Sequence, residues 1–129
     1  MQTIFIKTAA ILGAIAVAAG AFGAHALKQI LSEKYLAVFE TAVRYQFYHV
    51  FALLAIGILF KEFPNNYLLW SGRLFCYGIL IFSGSLYLLT LLETMGQQGF
   101  RWLGAITPVG GLCLIGGWIL LVIGITFNR

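Results

Sequence analysis

Glu40-Thr41-Ala42-Val43-Arg44-Tyr45-Gln46-Phe47-Tyr48-His49 runs directly into Val50-Phe51-Ala52-Leu53-Leu54-Ala55-Ile56-Gly57-Ile58-Leu59-Phe60. Only the eleven residues from Val50 to Phe60 are apolar without interruption. A helix that crosses a bilayer core needs about 20 residues. To span, this helix must therefore carry part of the preceding polar stretch into the membrane, and Arg44, Gln46 and His49 go with it. Ionisable side chains at that depth are costly to bury and mark candidate functional sites.

The rest of the chain supports a membrane setting. Of its 129 residues, 61% are hydrophobic and 9% charged, and the mean hydropathy is +0.95. A soluble domain carries about 25% charged residues. Four apolar blocks stand out, Ile4 to Ala26, Val43 to Phe60, Leu68 to Leu92 and Trp102 to Phe127. All but the second are long enough to span alone, with tilt. The fold class read from this pattern is all-α, a four-helix transmembrane bundle with short loops. It forms one four-span domain over residues 1–129, with spans at about 4–26, 43–60, 68–92 and 102–127. Both termini then lie on one side. Lys7, the apolar run and Ala24-His25-Ala26 imitate a cleavable signal. The run from Thr8 to Ala24 exceeds the usual 7–15 residues of a signal core, which favours a permanent helix.

Lys/Arg bias in the short loops should set the orientation. Lys7, Lys61, Arg73 and Arg129 fall on the terminal side, and Lys28, Lys34, Arg44 and Arg101 on the other. That tie gives no direction, and termini on the cytoplasmic side is the general expectation. The net charge of +4 is spread thinly with no basic run, so no nucleic-acid partner is expected. Cys76 and Cys113 lie inside spans three and four and are too few for a thiolate metal site. They are expected as buried free thiols.

Small residues recur every seven positions: Ala9, Ala16 and Gly23, with Gly13 and Gly20, in the first span; Gly110, Gly117 and Gly124, with Gly104 and Gly111, in the fourth. Gly78 and Ser85 form a looser pair in the third. This period keeps small residues on one seam, where membrane helices approach closely. Between spans one and two, Ser32 suits an N-cap and Glu33 a first helical turn. Leu31, Tyr35, Val38, Phe39 and Ala42 follow at helical spacing, with no Pro or Gly from Ser32 to Ile56. One long helix is expected, with an interfacial extension leading into span two. Phe63-Pro64-Asn65-Asn66 and Gly96-Gln97-Gln98-Gly99 read as turns.

Alternating spans bring the end of helix one, the start of two, the end of three and the start of four to the same side. His25, Arg44, Gln46, His49, Ser83, Ser85, Tyr87 and Thr107 all belong to that half of the bilayer. The other half reads as nearly all apolar, apart from Cys76 and Thr126. Three readings fit the cluster. Polar side chains can fix helix register, with Glu40 and Arg44 neutralising one another. They can form a pocket for a lipid-like ligand or lipophilic cofactor. They can line an ion or proton path, although the apolar half offers no continuation. A two-histidine haem site is disfavoured by the differing depths of His25 and His49, and a zinc site of the two histidines with Glu40 is disfavoured similarly. A hydrolase would need a paired nucleophile and base with oxyanion donors, which Ser83 or Ser85 beside His49 supplies only in part.

With these residues in view, the chain resembles the bacterial inner-membrane family catalogued as domain of unknown function 423. That family includes YgdD- and YwdK-like proteins and the mitochondrial transmembrane protein 256. The resemblance rests on Gly20-Ala21-Phe22-Gly23-Ala24-His25-Ala26-Leu27 and on Phe39 to His49. It also rests on Leu74-Phe75 with Phe82-Ser83-Gly84-Ser85-Leu86-Tyr87, and on Ile106-Thr107-Pro108-Val109-Gly110-Gly111 with Gly117-Trp118. It implies a small four-span protein of the bacterial cytoplasmic membrane and brings no biochemical activity. The expectation is a non-enzymatic subunit or stabilising partner of a membrane complex, with no catalytic or metal-binding residue. Its surroundings are the lipid bilayer, and it associates with a membrane-protein partner or as a homo-oligomer. The alternative is a binder or carrier of a lipid-like ligand, and the cofactor, if one exists, is unknown.

Overall fold

The computed structural model describes residues 1–97 and 99–127. Gln98 of the expected turn and Arg129 of the charge tally lie outside the described residues. Four helices are long and apolar enough to cross a membrane: α1 (Gln2–Leu27), α2 (Glu33–Leu59), α3 (Asn66–Thr94) and α4 (Trp102–Thr126). The described residues contain no strand.

Local chemistry sets the helix boundaries. The Ser32 hydroxyl accepts the Tyr35 backbone N–H at 3.4 Å and starts α2 with Glu33 in its first turn. At about 1.5 Å per residue, its 27 residues extend about 40 Å, beyond a hydrocarbon core of about 30 Å. The expected interfacial extension follows from that excess. Asn65 starts α3 by accepting the Leu68 N–H at 3.0 Å. At the other end of α3, Gly96 takes φ +69°. The Gln97 N–H then reaches back to Leu92 O at 3.0 Å and the Gly96 N–H to Glu93 O at 3.1 Å. This left-handed termination favours glycine because it lacks a Cβ. In α4, Thr107 and Pro108 lie inside the helix, more than a turn beyond its start at Trp102.

Two helices contain a π turn, α1 at Ala19–Gly23 and α3 at Ile79–Ser83. Single π turns of this kind inside α-helices are frequent at functional sites.

α1 packs on α2, α2 on α3, and α3 on α4. Burial is uneven: 44% of the most apolar stretch of α2 is enclosed, against 17% for α1 and 22% for α4. α2 and α3 are therefore the inner helices. Phe5, Ala9, Leu53, Ile56, Leu68, Phe75 and Leu114 belong to the buried core. Ile11, Ile15 and Phe22 of α1 face outward, as do Leu112, Ile119 and Val122 of α4.

The α3–α4 interface follows one of the two small-residue registers. A Cβ on Gly110 would strike the backbone N of Phe82, one on Gly117 would lie 2.6 Å from the Phe75 ring, and one on Gly124 would strike Leu68. Phe82, Phe75 and Leu68 are themselves seven apart, so the antiparallel helices mesh in three layers over two heptads. Gly104 has open space around it and Gly111 makes only ordinary contact with Phe82, so the second register does not form the seam.

Candidate functional site

His49 is 6% exposed and lies among Tyr45, Phe75 and Trp118. The indole Nε1–H of Trp118 donates to His49 Nε2 at 3.2 Å. Indole nitrogen is a donor only, so Nε2 carries the lone pair. The ring proton is therefore on Nδ1, which lies 2.7 Å from Tyr45 O and donates to it. A neutral imidazole with both nitrogens engaged joins α2 to α4. The edge-on approach of the Phe75 and Trp118 rings, centroids 5.2 Å apart, completes the enclosure.

One turn earlier, Gln46 is almost fully enclosed. Its Nε2 donates to Leu12 O at 2.7 Å, and its Oε1 accepts the Tyr87 hydroxyl at 2.7 Å. One amide thus ties α1, α2 and α3 together. Ser83, at the end of the α3 π turn, donates to Ala42 O on α2 at 2.7 Å. Ser85 and Thr107 connect α3 to α4 through hydroxyls 2.6 Å apart. Each also lies within reach of a carbonyl of its own helix, Phe82 O at 2.9 Å and Leu103 O at 3.2 Å. With one proton apiece, one hydroxyl donates across the interface while the other accepts and donates to its own helix. Every fully buried side-chain polar atom among the described residues has a partner. In a membrane interior, that completeness matters more than any single bond.

Six of the eight expected site residues are therefore placed in interhelical hydrogen bonds: Gln46, His49, Ser83, Ser85, Tyr87 and Thr107. His25 and Arg44 are not among them, and both side chains are exposed. Arg44 stays outside because its position on α2 faces outward, whereas Gln46 and His49 share the inward face. Neither Glu40 nor Arg44 forms an ion pair within the described residues, contrary to the expected neutralisation.

Trp118 is the partner that sequence reasoning missed. It and His49 each stand sixteen residues after the first residue of helices that run in the same direction. Matching depths in parallel helices were the available signal. The supposedly apolar half also contains polar ties. The Ser71 hydroxyl donates to Gly117 O at 2.7 Å, and Asn65 Nδ2 donates to Gly124 O at 2.9 Å. Ser71 lies in a short polar stretch near the start of α3, and close packing against glycine brings a carbonyl of α4 within reach.

The chemistry open to this arrangement is narrow. Ser83 and Ser85 direct their hydroxyls to carbonyls or to Thr107, so neither is poised for activation by His49. Among the described residues, no three His, Cys, Asp or Glu side chains converge as metal ligands. Cys76 and Cys113 are half-buried free thiols.

The family model described as Protein of unknown function (DUF423) matches residues 19–111. The chain belongs to this family. It is 49% identical to a UPF0382 membrane protein of Staphylococcus saprophyticus over 94% of its own length and 95% of the relative's. It is 39% identical to UPF0382 membrane protein YwdK of Bacillus subtilis, over 93% and 94% of the two chains. A UPF0382 membrane protein of Staphylococcus haemolyticus is 45% identical over 93% of each chain. No solved structure matches significantly. This DUF423 protein is thus a membrane protein of a family without an established activity. The matched segment holds the α1 π turn and all eight expected site residues, while Trp118 lies beyond it.

Proposed function

We propose that this DUF423 protein is a non-enzymatic module of the bacterial cytoplasmic membrane, a small subunit or stabilising partner of a larger membrane complex, with its termini on the cytoplasmic side. The observation that supports this most is the saturation of its polar interior. Gln46, His49, Ser83, Ser85 and Thr107 bond to each other's helices and to backbone carbonyls, leaving the buried polar atoms already partnered. Such bonds fix helix register and make a rigid scaffold. The apolar outer faces of α1 and α4 then provide surface for lipid or for a partner's spans.

Native mass spectrometry after gentle extraction from the native membrane tests this reading. A membrane protein that co-purifies at fixed stoichiometry supports it. A chain recovered only as a bare monomer under conditions that preserve other membrane complexes would overturn it. A copy-on-copy assembly would narrow the role to a homo-oligomer.

A further inference from the structure

We propose that the cleft between the later part of α1 and the early part of α2 holds one membrane glycerophospholipid, its phosphate on Arg44 and its headgroup amine on Glu40. This site lies on the lipid-facing surface, apart from the saturated interior, and does not depend on the subunit reading.

The cleft has a volume of about 270 Å³ and is lined by Gly20, Ala24, Phe39, Glu40, Val43 and Arg44. Its walls are apolar: two small residues of α1 face two hydrophobic side chains of α2. Close packing shapes its floor. A Cβ on Gly20 would lie 3.2 Å from Val43 Cγ1, and one on Gly23 would lie 2.9 Å from Phe39 Cζ. Both glycines belong to the α1 π turn, so the irregular turn and the cleft coincide.

Depth identifies the occupant. Counting about 20 residues back from Leu59, the length that crosses a hydrocarbon core, reaches Glu40. Glu40 then lies at the hydrocarbon–headgroup boundary and Arg44 just over one turn, about 6 Å, inside it. An exposed guanidinium there faces lipid. It extends its long stem outward and needs an anionic oxygen, which a phosphate offers in a bidentate geometry. Glu40, one turn towards the headgroup region, adds the second specificity. A phosphate joined through two carbons to a primary amine presents an anion and a cation at about that spacing. The acidic–basic pair therefore complements a zwitterionic headgroup of the phosphatidylethanolamine class, and the apolar cleft accepts the start of an acyl chain.

The purified full chain in detergent is titrated separately with phosphatidylethanolamine, phosphatidylglycerol and diacylglycerol, and bound lipid is counted by native mass spectrometry. One phosphatidylethanolamine per chain should be retained, about tenfold more tightly than diacylglycerol, which lacks both charges. Arg44→Gln should abolish that advantage. Glu40→Gln should erase the preference for phosphatidylethanolamine over phosphatidylglycerol while leaving phosphate-dependent binding. Both side chains are exposed, so the fold should survive, and far-ultraviolet circular dichroism checks this. Ala24→Leu provides a steric control that fills the cleft without touching either charge, and it should also displace the lipid. Equal binding of diacylglycerol, or unchanged retention in Arg44→Gln, would overturn the proposal. So would full competition by glycerophosphoethanolamine without acyl chains, because the site would then recognise a soluble headgroup.

Discussion

Trp118 on α4 donates its indole N–H to Nε2 of His49 on α2, while the other imidazole nitrogen donates to Tyr45 O. A titratable ring is thus used as a neutral connector between helices that are separated in sequence by the whole of α3. The bond also sets the rotation of α4 about its own axis, because Phe75 of α3 packs against both rings.

Trp118 is 45% exposed on the outer face of α4, so replacing His49 with Leu leaves its N–H at a lipid-facing surface without an acceptor. Thermal unfolding in detergent should show a loss of about 1–3 kcal/mol, the desolvation cost of a stranded donor. Trp118→Phe in the same chain removes that donor, so the double variant should be less destabilised than the sum of the singles. The coupling should be about 0.6 kcal/mol and no more than about 2 kcal/mol, the range for interhelical bonds in membranes. Strict additivity would show that the two side chains do not interact.

Gln46 joins three helices through one amide, so its loss should exceed that of Tyr87. Gln46→Leu strands the Tyr87 hydroxyl and takes away the interhelical donor to the Leu12 carbonyl, whereas Tyr87→Phe removes only one bond. Melting temperatures of both variants and their combination provide the comparison. Tyr87→Phe added to Gln46→Leu should recover part of the loss, because the hydroxyl is no longer left bare.

The glycine seam predicts a steep positional contrast. Gly110→Ala places a methyl against the Phe82 backbone, which cannot rotate away, and Gly117→Ala places one against the Phe75 ring. Each should cost about 1–3 kcal/mol through overpacking, with Gly110→Ala the more severe. Gly104→Ala enters open space inside the same helix and should be neutral or stabilising by up to about 1 kcal/mol. Equal effects at all three positions would contradict the observed register.

Asn65 combines two roles that substitutions can separate. Its Oδ1 caps α3 through the Leu68 N–H, and its Nδ2 donates to Gly124 O on α4. Asn65→Ser keeps a cap acceptor and removes the Nδ2 donor, whereas Asn65→Ala removes both. Asn65→Ala should therefore lower stability further than Asn65→Ser, by about 1 kcal/mol for the lost cap. Thermal melts of the two variants in one detergent test the order.

Much of this architecture was legible before any coordinate. The apolar blocks marked the spans, Ser32 and Glu33 marked the start of α2, and Gly96 marked the end of α3. Each is a local signal, a cap or a left-handed termination, that needs no knowledge of the partner helix. The harder features depend on rotation about helix axes. Gly104 and Gly111 repeat as regularly as Gly110, Gly117 and Gly124, and periodicity alone does not choose which series meets α3. The same ambiguity hid Trp118, whose position near mid-helix reads equally well as lipid-facing. It also hid Ser71, which is polar only in isolation and becomes part of the interior once Gly117 lets the backbones close up. Chain order grouped His25 and Arg44 with the interior cluster because it defines depth without direction.

The arrangement of the helices also has a consequence for biogenesis. α1 lies chiefly on α2 and α4 chiefly on α3, so each helical hairpin can pair as soon as its second helix has left the ribosome. Neither pairing must wait for a segment not yet synthesised, which keeps early intermediates from exposing glycine-rich faces to other nascent chains. The two hairpins then meet through Tyr87 with Gln46, Ser83 with the Ala42 carbonyl, and Trp118 with His49. These contacts are polar and directional, so hairpins docked in a different rotation would lose them and leave buried donors without acceptors.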